Sequence, residues 1–311
     1  MSARDRLDRP AVRVGAFAVG LLAVFALALG AGSLWGPTVA APDSDDEAMA
    51  HGGMAEDEPA GHDEGGHVPG GLMRSQDGYS LDLASATADR GRDVPLALTI
   101  SGPDGHVLDT EAGYAVEHDK RLHLIVVRRD LTGFQHVHPE LGDDGRWTTA
   151  VDLAPGTWRV FADFTAADGP ALTLGTDLTV PGRVPDVQPV GDDASTSSVD
   201  GYDVTLDGEL EGGAASDLTL TVTRGGRPVT DLQPYLGAFG HLVALREGDL
   251  AYLHVHPHEE AHAGDRGGPA IDFTAEVPSA GRYRLFLDFK AGGVVRTATF
   301  DLAAGGDRGH D

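Results

Sequence analysis

Pro155-Gly156-Thr157-Trp158-Arg159-Val160-Phe161-Ala162-Asp163-Phe164 returns further along the chain as Ala280-Gly281-Arg282-Tyr283-Arg284-Leu285-Phe286-Leu287-Asp288-Phe289. A Gly-x-aromatic step followed by alternating apolar residues reads as the entry into a late β-strand, and its return reads as a duplicated unit. The surrounding elements return in the same order. Gly78-Tyr79-Ser80-Leu81-Asp82-Leu83 matches Gly201-Tyr202-Asp203-Val204-Thr205-Leu206, and Leu96-Ala97-Leu98-Thr99-Ile100 matches Leu218-Thr219-Leu220-Thr221-Val222. A closing strand follows in each copy, at 172–180 and 294–302. Each unit is a series of short alternating segments punctuated by Gly, Pro and Asp, with no helix-period stretch. The sequence predicts an all-β chain of two tandem immunoglobulin-like antiparallel β-sandwiches, at 74–182 and 201–303, joined by a linker at 183–200. The 311 residues suffice for two cores of this size.

Upstream of the repeats lies an export signal. Arg4, Arg6, Arg9 and Arg13 precede an uncharged apolar run at 14–35, long enough to cross a bilayer, and Asp43, Asp45, Asp46 and Glu47 follow it. The positive-inside rule places residues 1–13 in the cytoplasm and both sandwiches outside it. Retained, the run is a transmembrane anchor; cleavage near Thr38-Val39-Ala40 would release a secreted protein. Acidic residues outnumber basic ones 49 to 23, for a net charge of -26. Such a surface repels nucleic acid and attracts cations. Without cysteine, disulfides, thiolate metal sites and a thiol nucleophile are excluded.

Two sets of histidines stand out. His123 is followed after twelve residues by His136-Val137-His138-Pro139, and His241 after twelve by His254-Val255-His256-Pro257. In a strand, His136 shares a face with His138, and His254 with His256, because side chains alternate. A two-residue turn at Gly248-Asp249 pairs residues whose numbers sum to 497, setting His241 opposite His256 with Cβ atoms about 5 Å apart. In the first copy, a turn at Asp130-Leu131 or a loop at 130–133 keeps His123 on the face of His136 and His138. The expectation is one three-imidazole metal site on each hairpin. His258, Glu260 and His262 stand ready to extend the second, and Asp163 and Asp288 are candidate ligands or supports in equivalent positions. The bland alternative is a set of partly buried histidines bonded to backbone carbonyls and copied by duplication. Clustered histidines also suit pH sensing.

The segment at 36–73 is acidic, rich in Gly and Pro, and reads as a disordered tether; residues 304–311 read as a disordered tail. Met49, His51 and Met54 lie in the tether, where thioether suits Cu(I) and imidazole suits Cu(II) or Zn(II). Gly248, His254, His256, Glu260 and Gly267 fit half of a cupin metal motif, but its second half is missing. No other catalytic constellation stands out, and an enzyme is not expected.

The exported, cysteine-free sandwiches bearing His-x-His-Pro, with a Met/His segment near the membrane, resemble extracytoplasmic heavy-metal-binding proteins of the YtkA-like and CopC-like group. The resemblance is strongest over 122–139 and 241–257. It implies a β-sandwich that buffers or delivers copper, with zinc as the alternative, to a membrane copper transporter or an oxidase-assembly factor. The competing expectation is an envelope interaction or adhesion module whose histidines are structural.

Overall fold

The computed structural model describes residues 68–184, 191 and 193–305. The run at 14–35 and the stretch holding Met49, His51 and Met54 lie outside the described residues. Among the described residues, no helix is long and apolar enough to cross a membrane, and helical structure amounts to a 3-10 turn at Glu111–Gly113.

The first copy contains β1 (Ser75–Gln76), β2 (Tyr79–Leu83), β3 (Gly91–Ser101), β4 (His123–Arg128), β5 (Gln135–Val137), β6 (Glu140–Leu141), β7 (Trp147–Leu153), β8 (Gly156–Thr165) and β9 (Ala171–Val180). One sheet runs β1-β2-β3-β7-β6 and the other β5-β4-β8-β9, closing over Leu81, Ile100, Leu124, Val160 and Leu174. The second copy contains β10 (Thr196–Val199), β11 (Tyr202–Asp207), β12 (Leu210–Glu211), β13 (Ala214–Arg224), β14 (Arg227–Pro228), β15 (Gly240–Arg246), β16 (Tyr252–Pro257), β17 (Ala270–Val277), β18 (Gly281–Ala291) and β19 (Val294–Gly305). Its strands form the path β10-β11-β13-β17-β16-β15-β18-β19-β12, continuous because β16 pairs with β17 as well as with β15. Leu220, Phe273, Leu285 and Phe300 fill its core. The described residues are thus all-β apart from one 3-10 turn, two immunoglobulin-like units in tandem, with strand pairing in the second beginning at Thr196.

The repeated Gly-x-aromatic step has a physical basis. Gly156 and Gly281 open β8 and β18 with φ of 140° and 155°, backbone that favours glycine. The buried aromatic two residues on then reaches back four residues: Trp158 Nε1 donates to the carbonyl of Ala154 at 2.8 Å, and the Tyr283 hydroxyl to that of Ser279 at 2.7 Å. A large apolar body is thereby buried with its polar tip satisfied.

Strand β4 is buried at all six positions, because both its faces are covered. Leu124 and Val126 enter the core of their own sandwich, whereas Ile125 and Val127, with Leu131 and Phe161, pack against Val243, Leu245, Leu250 and Phe286 of the second copy. Phe134 and Phe286 stack across this seam with ring centroids 4.0 Å apart. Leu131 and Leu250 sit in the hairpin turns with φ of 62° and 64°, a backbone state that costs a β-carbon residue about 1 to 2 kcal/mol. Their side chains are 2% and 0% exposed, and burying a leucine contributes about 1.5 to 3 kcal/mol, so the seam offsets the strain.

Candidate metal centre

The seam continues beyond its apolar part into a cluster of imidazoles. His123 opens β4 on the same side as Ile125. Strand β5 pairs with β4 as Leu124 with Val137 and Ile125 with His136, which brings His136 to that side too. His138 follows two residues later, before Pro139 turns the chain toward the opposite sheet. One ligand nitrogen from each of His123, His136 and His138 lies within 4.8 Å of the others. The ring centroids stand 5.4, 5.0 and 4.9 Å apart.

Hydrogen bonding fixes where the ring protons sit. His123 Nε2 lies 3.2 Å from the carbonyl oxygen of Glu117, which can only accept, so this nitrogen carries hydrogen and Nδ1 keeps its lone pair. His136 Nδ1 lies 2.9 Å from Asp288 Oδ2 of the second copy, so the proton belongs on Nδ1 and the neutral ring leaves Nε2 bare. Those two bare nitrogens face each other at 3.1 Å. Two lone pairs so close need a cation between them, either a second proton on His136 or a metal ion. His138 supplies the third corner of the triangle, and its Nε2 is buried with no hydrogen-bond partner, which native structures seldom tolerate. Burial, with the neighbouring His136 adding to it, lowers His138 to about 2 and His123 to about 4, so both rings are held in the neutral, ligating form.

Asp288 is 3% exposed and is held in turn, since its Oδ1 accepts from the Thr297 hydroxyl at 2.5 Å. A carboxylate behind a histidine in this way orients the ring and raises its basicity toward a metal. Asp163 keeps the equivalent bond in the first copy, accepting from Thr173 at 2.7 Å.

The second copy also covers the triad. His241, the counterpart of His123, donates from Nε2 to the carbonyl of Leu236 at 2.8 Å and so keeps a bare Nδ1. Its centroid is 6.3 Å from those of His123 and His136. Burial, then His136, lowers it to about 3. Tyr235 stands 6.0 Å from His241 and 6.2 Å from His138, its hydroxyl pushed up to about 12 by burial and by Asp288. His118, on the Glu117–Lys120 turn, approaches His241 to 5.1 Å. A cleft of about 260 Å³ runs between the copies, lined by His118, His123, His136, Asp163, His241 and His256.

The expected register that sets His241 opposite His256 is corrected here. The register sum of 497 is met at Ala244 with Leu253 and Leu245 with Tyr252. Beyond Leu253, however, β16 leaves β15 and pairs with β17, matching His254 to Glu276 and His256 to Thr274. His241 therefore does not lie opposite His256 in a ladder, and it turns instead to the triad of the first copy. In that copy β5 stays on β4 through Val137 before the chain crosses, which is why its three rings converge. His256 is exposed at the cleft, and the side chain of His254 lies outside the described ones. His258 is exposed and bonds to Thr274 Oγ1 at 2.7 Å, while Glu260 and His262 are exposed as well. Among the described residues, one set of three metal-ligating groups is gathered. His118 and Tyr235 escaped the sequence reading; their only signal is their place just upstream of His123 and His241.

The model of a family described as Domain of unknown function (DUF8832) matches twice, over residues 74–182 and 197–306. No curated protein matches the sequence. Among solved structures, the Escherichia coli adhesin FdeC is similar over 75% of this chain and 65% of its own, at 17% identity and a TM-score of 0.23. The Yersinia pseudotuberculosis adhesin InvE is similar over 73% and 59%, at 10% identity and a TM-score of 0.21. The D0-D1 domain of Intimin is similar over 72% and 97%, at 13% identity and a TM-score of 0.19. The chain thus spans less than two thirds of either adhesin structure.

Proposed function

The chain belongs to the DUF8832 family, in two copies, and we propose that it binds a transition metal between them, outside the cytoplasm and without chemical turnover. The observation that carries this reading is the buried, unpartnered Nε2 of His138 in a triad whose other two rings bring His123 Nδ1 and His136 Nε2 to 3.1 Å. A histidine kept for structure alone would have its ring nitrogens satisfied. The acidic surface favours cation capture, and the resemblance to YtkA-like and CopC-like proteins implies copper, with zinc as the alternative. Buffering, or delivery to a membrane transporter or assembly factor, is the role that such a site serves.

Titration calorimetry with Cu(II) and Zn(II) on the full chain tests this against two double variants. His136→Ala with His138→Ala should abolish one tight equivalent, and His256→Ala with His258→Ala should leave it. Equal binding by all three chains would refute the reading. A second reading, an envelope interaction or adhesion module, is favoured by the architecture: two immunoglobulin-like units fixed to each other by an apolar seam. It expects the His136/His138 variant to lose surface association with metal content unchanged.

A further inference from the structure

The spacing of the three rings carries information about the ion. With a metal about 2.0 to 2.1 Å from each nitrogen, an imidazole centroid lies about 3.2 Å from the ion, so tetrahedral donors stand about 5.2 Å apart. Three donors of a square plane must include a trans pair about 6.4 Å apart. The triad shows 5.4, 5.0 and 4.9 Å, with no pair near the longer value. The ring spacing therefore suits a tetrahedral d¹⁰ ion better than tetragonal Cu(II) or Ni(II), with the nitrogens, now within 4.8 Å of one another, closing on the ion. Of the d¹⁰ ions, Cu(I) favours sulfur, but the chain has no cysteine and, among the described residues, no methionine lines the cleft. Zn(II) accepts imidazole alone.

The fourth position is the second point. His241 is 6.3 Å from both His123 and His136, about 1 Å beyond tetrahedral spacing, so it is not placed as a donor. Its Nδ1 is left bare, and His241 lines the same cleft as His123 and His136. The geometry points to an open zinc site: Zn(II) held by His123, His136 and His138, with water or a small anion from the cleft in the fourth position and His241 accepting a hydrogen bond from the bound water. Open three-histidine geometry is what lets zinc exchange a ligand, whereas four protein ligands close it. This rests on the reading that the triad binds metal.

The experiment is Co(II) substitution in the full chain, read as the difference from His138→Ala so that ions bound elsewhere cancel. Expected are the intense visible bands of tetrahedral Co(II), lost on adding one equivalent of Zn(II) and shifted by azide. Weak octahedral bands, a preference for Cu(II) with a tetragonal spectrum, or bands indifferent to azide would overturn the open-zinc proposal while leaving the metal site standing. No difference from His138→Ala would overturn both. In His241→Ala the tetrahedral bands should persist, and the pH midpoint of the bound-water transition should move by about one unit. His241→Gln, which keeps an acceptor, should return it toward the original value. Loss of the bands in both variants would make His241 a ligand and refute the open position.

Discussion

Asp288 offers the sharpest test of how the two copies share one site. Its oxygens accept from His136 Nδ1 and from the Thr297 hydroxyl, and it is buried. Asp288→Asn keeps an acceptor for His136 and offers an amide to Thr297, so the packing survives and the charge is lost. Removing a carboxylate behind a metal-bound histidine weakens binding about 10- to 100-fold. Asp288→Ala goes further and strands His136 Nδ1 and the Thr297 hydroxyl in the seam, at about 1 to 3 kcal/mol for each orphaned group. Urea unfolding of the full chain, with and without zinc, separates the two effects. At free zinc 100 times the wild-type Kd, the ion stabilises the parent by about 2.7 kcal/mol. A tenfold weaker Asp288→Asn chain gains about 1.4 kcal/mol, and a hundredfold weaker Asp288→Ala chain about 0.4 kcal/mol. Without zinc, Asn should unfold close to the parent and Ala should be about 2 to 6 kcal/mol less stable. An Asn variant with the full zinc increment would refute the idea that the second copy tunes the triad of the first.

Three further outcomes follow from the same geometry. His123 titrates near 4 when folded and near 6.5 when unfolded, so its contribution is complete above pH 6.5 and is lost as pH falls toward 4. The loss should reach about 2 to 3 kcal/mol at pH 4.5, read as the difference in urea stability between the parent and His123→Gln so that shared carboxylate protonation cancels; parallel pH profiles would contradict it. Phe286→Ala removes the ring stacked on Phe134 and should cost about 3 to 5 kcal/mol, splitting one calorimetric transition into two as the copies uncouple; an unchanged single transition would exclude the seam as the coupling element. His254→Ala should retain a full equivalent of bound zinc whereas His138→Ala should not, and elemental analysis of dialysed protein distinguishes them.

The sandwich pair was legible because period-two alternation and repeated turn residues are local signals. The first-copy triad was legible for the same reason, since three histidines on one hairpin need only the right parity to converge. The seam was half visible: Leu122-His123-Leu124-Ile125-Val126-Val127 lacks alternation, as does a strand buried on both faces. What that second face packs against is a long-range matter, and no local pattern names it. The same holds for Asp288, which meets His136 across 152 residues of chain. The departure of β16 from β15 was illegible because it is a competition: β17 offers His254 to Pro257 a full set of partners, and the hairpin register alone cannot say which neighbour wins.

That competition has an electrostatic consequence. Had β16 stayed on β15, the seam would have set two three-histidine sites against each other, centred near His123 and His241, whose rings are only 6.3 Å apart. Two divalent ions at that separation repel by about 10 kcal/mol at an effective dielectric constant of about 20, and the nearby carboxylates Asp163 and Asp288 would have to offset that repulsion. Occupation of one site would then oppose occupation of the other. With β16 drawn onto β17, the ladder no longer sets His256 opposite His241, and the second copy walls the triad of the first: Asp288 behind His136, Tyr235 beside His138 and His241 at the cleft. Duplication supplied two equivalent hairpins, and the divergence of one strand path left a histidine triad on the first and its covering wall on the second.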